Sequence, residues 1–343
     1  GHYEMMQADS IGAAMRVIAT STPDMILCAD TLPDGDPLRL LARLGKAGLQ
    51  GKVPVIVLAA PGAKVDRHRL FAEGIEDILE RPLDDVLLLA RARCVMRAYA
   101  SASEWTLRDG TSRALGFAEP SAKFGPRQSV RLITNDPNGA YKWHLALDPV
   151  LAANLTVCSA GEAIQLHTSD RGPDAFVLEI NPNDHADMLS LLATIRSHSS
   201  TRHSAILVVL THPDPDLGAR MLDMGANDLM IRDRDSAEVA VRLETLMARK
   251  RMSDALRDTV RSGIEAAVID PLTGLHNRRY AMPHLARIAE RAHKSKKPFA
   301  VMVADMDYFK QINDTHGHAA GDAVLIETAQ RLRQNLRSVD LVA

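Results

Sequence analysis

Short apolar runs alternate with amphipathic segments through the first two thirds of the chain. The segment Pro37–Gly45 places Leu38, Leu41 and Leu44 on one face, as expected for a helix that covers a sheet. Apolar runs between such segments predict buried strands. The predicted strands are Tyr3–Ala8, Met25–Cys28, Val53–Ala59, Glu76–Leu79, Val130–Thr134, Ala175–Glu179, Ala205–Thr211 and Asp228–Ile231.

This alternating pattern occurs twice, in residues 1–99 and again in residues 129–236. Strands that alternate with helices indicate an α/β fold, here two flavodoxin-like, doubly wound parallel sheets. Residues 100–128 are rich in Ser, Gly and Pro and are interpreted as a linker, partly helical. Residues 237–267 predict one long polar helix, and residues 268–343 form a third region.

The long helix carries an apolar seam along its length. Helices with such a seam usually pair with another helix, so we expect this one to contribute to a dimer. The seam residues are Val239, Leu243, Leu246, Leu256, Val260 and Ile264.

Composition narrows the class of protein. The chain has 343 residues, 46% of them hydrophobic and 24% charged, which is typical of a globular protein of two or three domains. A net charge of −2 without a basic cluster argues against nucleic acid as a partner, and no apolar span predicts a membrane crossing. Cys28, Cys94 and Cys158 are widely spaced, which favours reduced thiols. We therefore expect a cytoplasmic protein.

The segment from Ala304 to Asp322 carries the most specific chemistry. The apolar run Phe299–Ala304 predicts a strand that delivers Asp305 and Asp307 to its carboxyl end. Two acids at this spacing point the same way, and carboxylates are the hard oxygen ligands that hold Mg²⁺ against a triphosphate. An isolated Asp-x-Asp would more often be a solvated turn, but the residues that follow favour a site.

Those residues add groups that can recognise a nucleotide. Asn313 and Asp322 can pair with the Watson–Crick edge of guanine, and Lys310 begins the next turn. Gly317 and Gly321 permit a tight connection between them. The segment therefore predicts nucleotide chemistry.

Three ordered motifs resemble the opening part of a GGDEF domain. They are Asp270-Pro-Leu-Thr-Gly-Leu-His-Asn-Arg-Arg279, Asp305-Met-Asp-Tyr-Phe-Lys310 and Asn313-Asp-Thr-His-Gly-His-x-x-Gly-Asp322. The resemblance implies an α+β domain with diguanylate cyclase activity, in which two domains, each holding GTP and Mg²⁺, face each other and form cyclic di-GMP. It implies that Asp305 and the Met306 carbonyl bind the metal, that Asp305 and Lys310 are catalytic, and that Asn313 and Asp322 read guanine.

A fourth motif, Arg337-Ser-Val-Asp340, resembles the inhibitory site of the same family. There an arginine fork and a carboxylate hold the guanine and phosphate of the product, although a lone Arg-x-x-Asp is more often a surface ion pair. The family continues into a Gly-Gly-Asp/Glu-Glu-Phe hairpin that completes the metal site, and the sequence does not contain it. We expect the parent protein to be a cyclase and these 343 residues alone to be inactive. The alternative is a catalytically inactive scaffold that binds cyclic di-GMP.

Residues 1–99 resemble a response-regulator receiver whose phosphorylation positions are altered. Ala29 stands at the phosphoacceptor position, Ala59 at the switch Thr/Ser and Arg81 at the lysine. Asp30 lies one residue along and would face the wrong side of the strand. Since the chain begins at the second strand of such a sheet, we also expect the first strand to be absent.

Residues 129–236 resemble a second receiver with different alterations. Asn135-Asp136 stands at the acidic pair, Thr211 or Leu210 at the switch position, and Arg232 at the lysine. Glu179 occupies the acceptor position, where two interpretations stay open: it imitates a phosphorylated aspartate, or it is an ordinary acid at a strand end. We interpret this receiver as an adaptor.

The order receiver, receiver, helix and GGDEF resembles the PleD-type response regulators over nearly the whole chain. The resemblance implies a two-component signalling protein that uses GTP and Mg²⁺ and is inhibited by its product, cyclic di-GMP. It also implies a homodimer formed through the receivers and the helix at 237–267. The altered acceptor positions predict receivers used for dimerisation rather than phosphorylation.

Overall fold

The structure is a computed structural model that describes residues 3–114, 128–165, 172–231, 236–337 and 340–343. The contacts among these residues divide the chain into two compact units. The first unit ends at Ala255, and the second extends from Leu256 to Ala343.

The first receiver contains a three-stranded parallel sheet of order β1-β2-β3. Its strands are Ile26–Ala29 (β1), Val55–Ala59 (β2) and Asp77–Glu80 (β3), and its helices are Ile11–Thr20 (α1), Pro37–Lys46 (α2), Arg67–Glu73 (α3) and Asp85–Ala114 (α4). The central strand β2 is apolar throughout because helices cover both faces of a parallel sheet. Helix α2 begins where predicted, because Asp36 caps its N-terminus and Pro37 occupies its first turn.

The predicted strand Tyr3–Ala8 is wrong. Residues 3–8 belong to no strand, and Met5 is 86% exposed. A strand needs a neighbour for its backbone hydrogen bonds, and no described strand pairs with this segment. Helix α1 follows this segment, and the Asp34 carboxylate accepts hydrogen bonds from the backbone N–H groups of Ile11 (2.8 Å) and Gly12 (2.9 Å).

The region predicted as the second receiver, which keeps that name below, contains a five-stranded parallel sheet of order β5-β4-β6-β7-β8. Its strands are Ser129–Ile133 (β4), Asn154–Cys158 (β5), Ala175–Ile180 (β6), Ala205–Leu210 (β7) and Asp228–Ile231 (β8), and its helices are Pro137–Leu147 (α5), Ala160–Gln165 (α6), His185–Ser197 (α7) and Pro215–Asp223 (α8). Numbered within this domain, the order is 2-1-3-4-5, the flavodoxin-like doubly wound arrangement. The predicted fold class is confirmed.

The predicted long helix is confirmed as Ser236–Val268 (α9), but its apolar seam has a different role. Val239 and Leu243 are fully buried against the sheet of the second receiver, and Leu246 packs in the same core. These residues cannot also pair with a second copy, so the expectation is wrong for this part of the seam. The side chains of Val260 and Ile264 lie outside the described residues. Although α4 and α9 are long, no described helix is apolar enough over a sufficient length to cross a membrane.

The second unit contains the helices Arg278–Ser295 (α10), Phe309–His316 (α11) and His318–Asn335 (α12). The predicted strand Phe299–Ala304 is wrong. Its residues lie outside any strand, and Met302 and Val303 are more than nine-tenths exposed. Among the described residues from Leu256 onward there is no strand with which this apolar segment could form a ladder.

Candidate nucleotide site and receiver sites

The motif that begins at Asp270 forms the connection between α9 and α10. The Asp270 carboxylate accepts hydrogen bonds from the side chain (2.7 Å) and the backbone N–H (2.9 Å) of Thr273, and these bonds lower the pKa of the carboxyl. Gly274 adopts φ +68°, a left-handed conformation that suits glycine. Asn277 then caps α10 by accepting from the Tyr280 N–H (3.1 Å). The motif therefore sets where α10 begins.

The acidic segment at Asp305 turns its carboxylates to solvent. The Met306 sulfur accepts a hydrogen bond from the Thr328 hydroxyl of α12 (3.6 Å), so this side chain packs on the helix. Asp305 and Asp307, on either side of it, are both exposed. No described residue forms an ion pair with either carboxylate. The segment therefore exposes two carboxylates that form no ion pair with a described residue, although the segment does not form a strand.

The two predicted guanine-reading residues lie on packed helices. Gly317 (φ +82°) separates α11 from α12, so that the chain turns back on itself. The Asn313 Oδ1 atom lies close to the position that a Cβ atom would take at Gly321. A side chain at residue 321 would force the Asn313 side chain to move, so glycine permits the observed contact between Asn313 and residue 321. Their role in reading guanine stays a prediction.

The other predicted nucleotide-site residues are exposed. Lys310 lies in the first turn of α11. The Arg337 backbone N–H donates to the Asp340 carboxylate (3.1 Å), which holds the two ends of the Arg-x-x-Asp motif together. Ser338 and Val339 lie outside the described residues. The proposed catalytic role of Lys310 and the inhibitory role of Arg337 and Asp340 stay predictions.

The acceptor position of the first receiver offers no carboxylate. Ala29 is the last residue of β1, and Ala59 is buried at the end of β2. The Asp30 carboxylate, one residue further, accepts a hydrogen bond from the Ala60 backbone N–H (3.0 Å). It therefore ties the loops after β1 and β2 together instead of replacing the missing aspartate.

The acceptor position of the second receiver is filled by a buried carboxylate. Glu179, at the end of β6, has no exposed surface. Its Oε2 atom accepts from the Thr134 hydroxyl (2.6 Å), and its Oε1 atom accepts from the Trp143 indole N–H (2.8 Å). A buried carboxylate needs such donors. These contacts favour the structural interpretation of Glu179 over imitation of a phosphorylated aspartate.

The two receivers meet through a closed ring of four buried charges, which we call the ion ring. It consists of Asp77 on β3, Arg91 on α4, Asp228 on β8 and Arg242 on α9. Arg242 lies 2.7 Å from Asp77 and 2.9 Å from Asp228, and Arg91 forms ion pairs with both aspartates as well. All four residues are buried. Each arginine therefore joins an aspartate of its own receiver to one of the other.

The ion ring favours the charged forms of Asp77, Arg91 and Arg242. Burial by itself would raise the pKa of Asp77, but the positive charges of Arg91 and Arg242 outweigh burial and hold that pKa well below its ordinary value. Burial also disfavours the charged form of Arg242, yet the facing carboxylates raise its pKa. The ring is electrically neutral as a whole, which is what a charged cluster inside a protein requires.

A second contact ties α3 of the first receiver to the start of α9. The Arg67 guanidinium donates to both carboxylate oxygens of Glu238 (2.8 and 3.1 Å). Phe71, one turn further along α3, lies under the Arg242 guanidinium at 4.5 Å from the ring centroid. Glu238 also accepts from Arg242 (2.9 Å), so this contact continues into the ion ring.

Sequence reasoning missed the ion ring. Each member taken alone is an ordinary charged residue near the end of a strand or on a helix. The signal that could have revealed it is a repeat: Asp77 precedes Arg91 by 14 positions, and Asp228 precedes Arg242 by the same interval. A charged pair repeated at the same place in both receivers indicates a shared contact surface.

Comparison with known proteins identifies the families of the first and last regions of the chain. The family described as response regulator receiver domain matches residues 1–93, and the family described as diguanylate cyclase, GGDEF domain matches residues 267–343. These matches define the class, a response regulator that combines a receiver with a GGDEF region. Response regulator PleD of Caulobacter vibrioides is 32% identical over 343 residues, covering 99% of this chain and 74% of its own length. The chain belongs to the PleD family of receiver–GGDEF response regulators.

The GGDEF end of the chain has further relatives. Diguanylate cyclase TpbB of Pseudomonas aeruginosa is 38% identical over 128 residues, covering 37% of this chain and 28% of its own length. Diguanylate cyclase DgcP of the same organism is 39% identical over 110 residues, covering 31% of this chain and 16% of its own length. Their similarity is therefore local.

We predict that the first receiver takes up no phosphoryl group. Ala29 has no carboxylate to phosphorylate, and Arg81 lacks the compact ammonium of a lysine. Incubation with acetyl phosphate and Mg²⁺, followed by intact-mass and peptide mass spectrometry, should find no acyl phosphate in residues 1–99. A stable phosphopeptide mapped to this region would contradict the assignment.

We predict that Trp143→Phe destabilises the first unit by about 1–3 kcal/mol, because it leaves a buried oxygen of Glu179 without its indole donor. Urea unfolding would measure the change. Tyr141→Phe is the matched control, since Tyr141 lies on the same helix but is 66% exposed, and should alter stability by less than about 0.5 kcal/mol. Equal effects of the two substitutions would show that the Trp143–Glu179 bond is unimportant.

We predict a pH-dependent contribution from Asp77. Its pKa is 3.8 in the unfolded chain and lower in the folded one, so its stabilising effect is present above pH 3.8 and is lost as the pH falls toward the folded-state pKa. The difference in unfolding free energy between wild type and Asp77→Asn should be about 3–5 kcal/mol at neutral pH. Urea unfolding at a series of pH values should show this difference shrinking below pH 3.8. A difference that stays constant through that range would contradict the assignment.

Proposed function

We propose that this chain belongs to a diguanylate cyclase, which condenses two GTP molecules into cyclic di-GMP. The observation that carries the proposal is the packing of Asn313 against Gly321, which sets Asn313 and Asp322 on adjoining helices. Guanine presents two N–H donors and one carbonyl acceptor along its Watson–Crick edge. A carboxylate accepts from the donors, and an amide both donates and accepts. The relatives named diguanylate cyclase support the same activity.

In this proposal, Asp305 and the Met306 carbonyl hold Mg²⁺. The donor set fits, because both are hard oxygen ligands and the Asp305 carboxylate is exposed. The described residues contain no group of three or more His, Cys, Asp or Glu side chains suited to a metal. Mg²⁺ commonly takes only one or two protein ligands and completes its shell with water and phosphate oxygens. When bound, it would neutralise charge on the triphosphate.

The proposed reaction forms two phosphodiester bonds. In each, the 3′-oxygen of one GTP attacks the α-phosphorus of the other, pyrophosphate leaves, and the hydroxyl proton is released. The Lys310 ammonium would stabilise the negative charge that develops on the transferring phosphate. Because each domain holds one GTP, turnover requires a homodimer, which we assign to the receivers and to the part of α9 beyond the core of the second receiver.

We assign product inhibition to Arg337 and Asp340. A guanidinium can hold a phosphate or the guanine edge through two parallel hydrogen bonds, and the carboxylate can accept from guanine N–H groups. The hydrogen bond from the Arg337 N–H to the Asp340 carboxylate supports a compact arrangement of the two residues. Binding of cyclic di-GMP there would lower turnover without contact with the reacting phosphates.

We predict that, in a protein with a complete GGDEF domain, Asp305→Ala lowers kcat at least about 100-fold. The substitution removes a ligand of the Mg²⁺ that would neutralise negative charge on the reacting phosphates. Arg337→Ala should leave the initial rate unchanged and relieve inhibition by cyclic di-GMP. Initial rates measured with and without added product would test both. The control is Glu290→Ala, which removes an exposed carboxylate of α10 outside the motifs and should keep the wild-type rate.

Two results would contradict these assignments. Wild-type turnover by Asp305→Ala would remove this residue from the metal site. Inhibition of Arg337→Ala at wild-type concentrations of product would remove the inhibitory role. A wild-type protein that binds cyclic di-GMP but makes none would favour the alternative of an inactive scaffold.

A further inference from the structure

The surfaces that join the receivers are built from the same elements on both sides. In each receiver the last strand supplies an aspartate and the following helix supplies an arginine 14 positions later. The contacts are also reciprocal, since Arg91 reaches Asp228 and Arg242 reaches Asp77. Reciprocal contacts between equivalent surfaces are typical of a two-fold interface between identical subunits. Here the interface lies inside one chain.

The ion ring stabilises one arrangement of the receivers and disfavours arrangements that differ from it slightly. A rotation or a slide that kept the surfaces in contact would separate at least one charge from its partner inside a dry interface. An unpaired charge in such surroundings is much more costly than a missing apolar contact. Packed interfaces therefore switch between discrete states and do not deform gradually.

Apolar contacts hold the same arrangement on one side of the ring. Ala90 and Cys94 of α4 are buried in the core of the second receiver. Leu87, one turn earlier, packs near Gly218 of α8, where an added Cβ would lie 3.3 Å from the Leu87 side chain. The first receiver thus contributes side chains to the core of the second.

Polar contacts close both ends of the interface. At one end, Arg67 of α3 holds Glu238 at the start of α9. At the other, Glu76 accepts hydrogen bonds from Tyr99 of α4 and from Arg249, three turns further along α9 than Glu238. The first receiver therefore contacts α9 near its beginning, in the ion ring and near the end of its buried part.

We propose that the ion ring makes the two receivers one permanently closed body that holds α9 in a single orientation, independent of phosphorylation. Ala29 gives the first receiver no acceptor, and Glu179 is occupied inside the second. Neither receiver takes up a phosphoryl group, and no slightly shifted arrangement keeps the four charges paired. The receiver pair therefore holds α9 in a constant orientation. This inference concerns the first unit and stands whether or not the proposed cyclase activity is correct.

The test is hydrogen exchange with mass spectrometry on the 343-residue chain across a urea series. Peptides from the central strands β2 and β7 report the two receivers separately. In the wild type, both should lose protection at the same urea concentration, and beryllofluoride with Mg²⁺ should leave the exchange of α9 peptides unchanged. In Arg242→Met, β2 should lose protection at a urea concentration lower than β7 by more than about 1 M.

The matched control is Arg93→Met. Arg93 also bridges the receivers, through Asp223 at 2.7 Å, but both side chains are well exposed. Its loss should leave the two transitions coincident. If Arg242→Met does not fold, Arg242→Lys keeps the charge without the guanidinium fork and should separate the transitions by a smaller interval.

The inference is overturned by separate transitions of β2 and β7 in the wild type, because the receivers would then be independent bodies. A change in α9 exchange on addition of beryllofluoride would overturn it equally. Coincident transitions in Arg242→Met and Arg242→Lys would show that the ion ring does not join the receivers.

Discussion

The first unit depends on the pairing of four buried charges. Removing two arginines and two aspartates from water is costly, and only their mutual pairing offsets that cost. The ring formed by Asp77, Arg91, Asp228 and Arg242 meets this condition because every member contacts charges from both receivers. Apolar contacts supply much of the attraction between the receivers, while the ring selects the arrangement. Through Arg242 and its neighbour Glu238, this arrangement extends to α9.

The receivers have the fold of a phosphorylation switch, with Ala29 and Glu179 at the positions where the resemblance places the acceptor aspartate. In the first, an alanine ends the acceptor strand. In the second, Glu179 has become part of the core through Thr134 and Trp143. Both changes agree with receivers that serve a structural role. A fixed receiver pair would hold the buried part of α9 in a constant orientation.

Much of the fold could be predicted from local pattern. Continuous apolar runs such as Val55–Ala59 are buried on both faces, and the seven confirmed strands lie within two residues of their predicted bounds. The same holds for the helices α2 and α9, whereas β5 was not predicted. The two wrong strands, at residues 3–8 and 299–304, have suitable composition but no described partner. Composition is local, whereas a ladder depends on a neighbour distant in sequence. The motifs identified the candidate nucleotide residues, but the contact of Asn313 with Gly321 required the helix packing. The ion ring joins positions up to 165 residues apart, which no local pattern reveals.

The most direct measurement of the central claim is a double-mutant cycle between Asp77 and Arg242 in the unfolding free energy of the first unit. These residues belong to different receivers and lie 2.7 Å apart. We expect a coupling free energy of about 2–3 kcal/mol for Asp77 and Arg242, toward the upper end of the range for interacting pairs, and less than about 1 kcal/mol for the exposed pair Arg93–Asp223. A coupling near zero between Asp77 and Arg242 would contradict the claim that the ion ring joins the receivers.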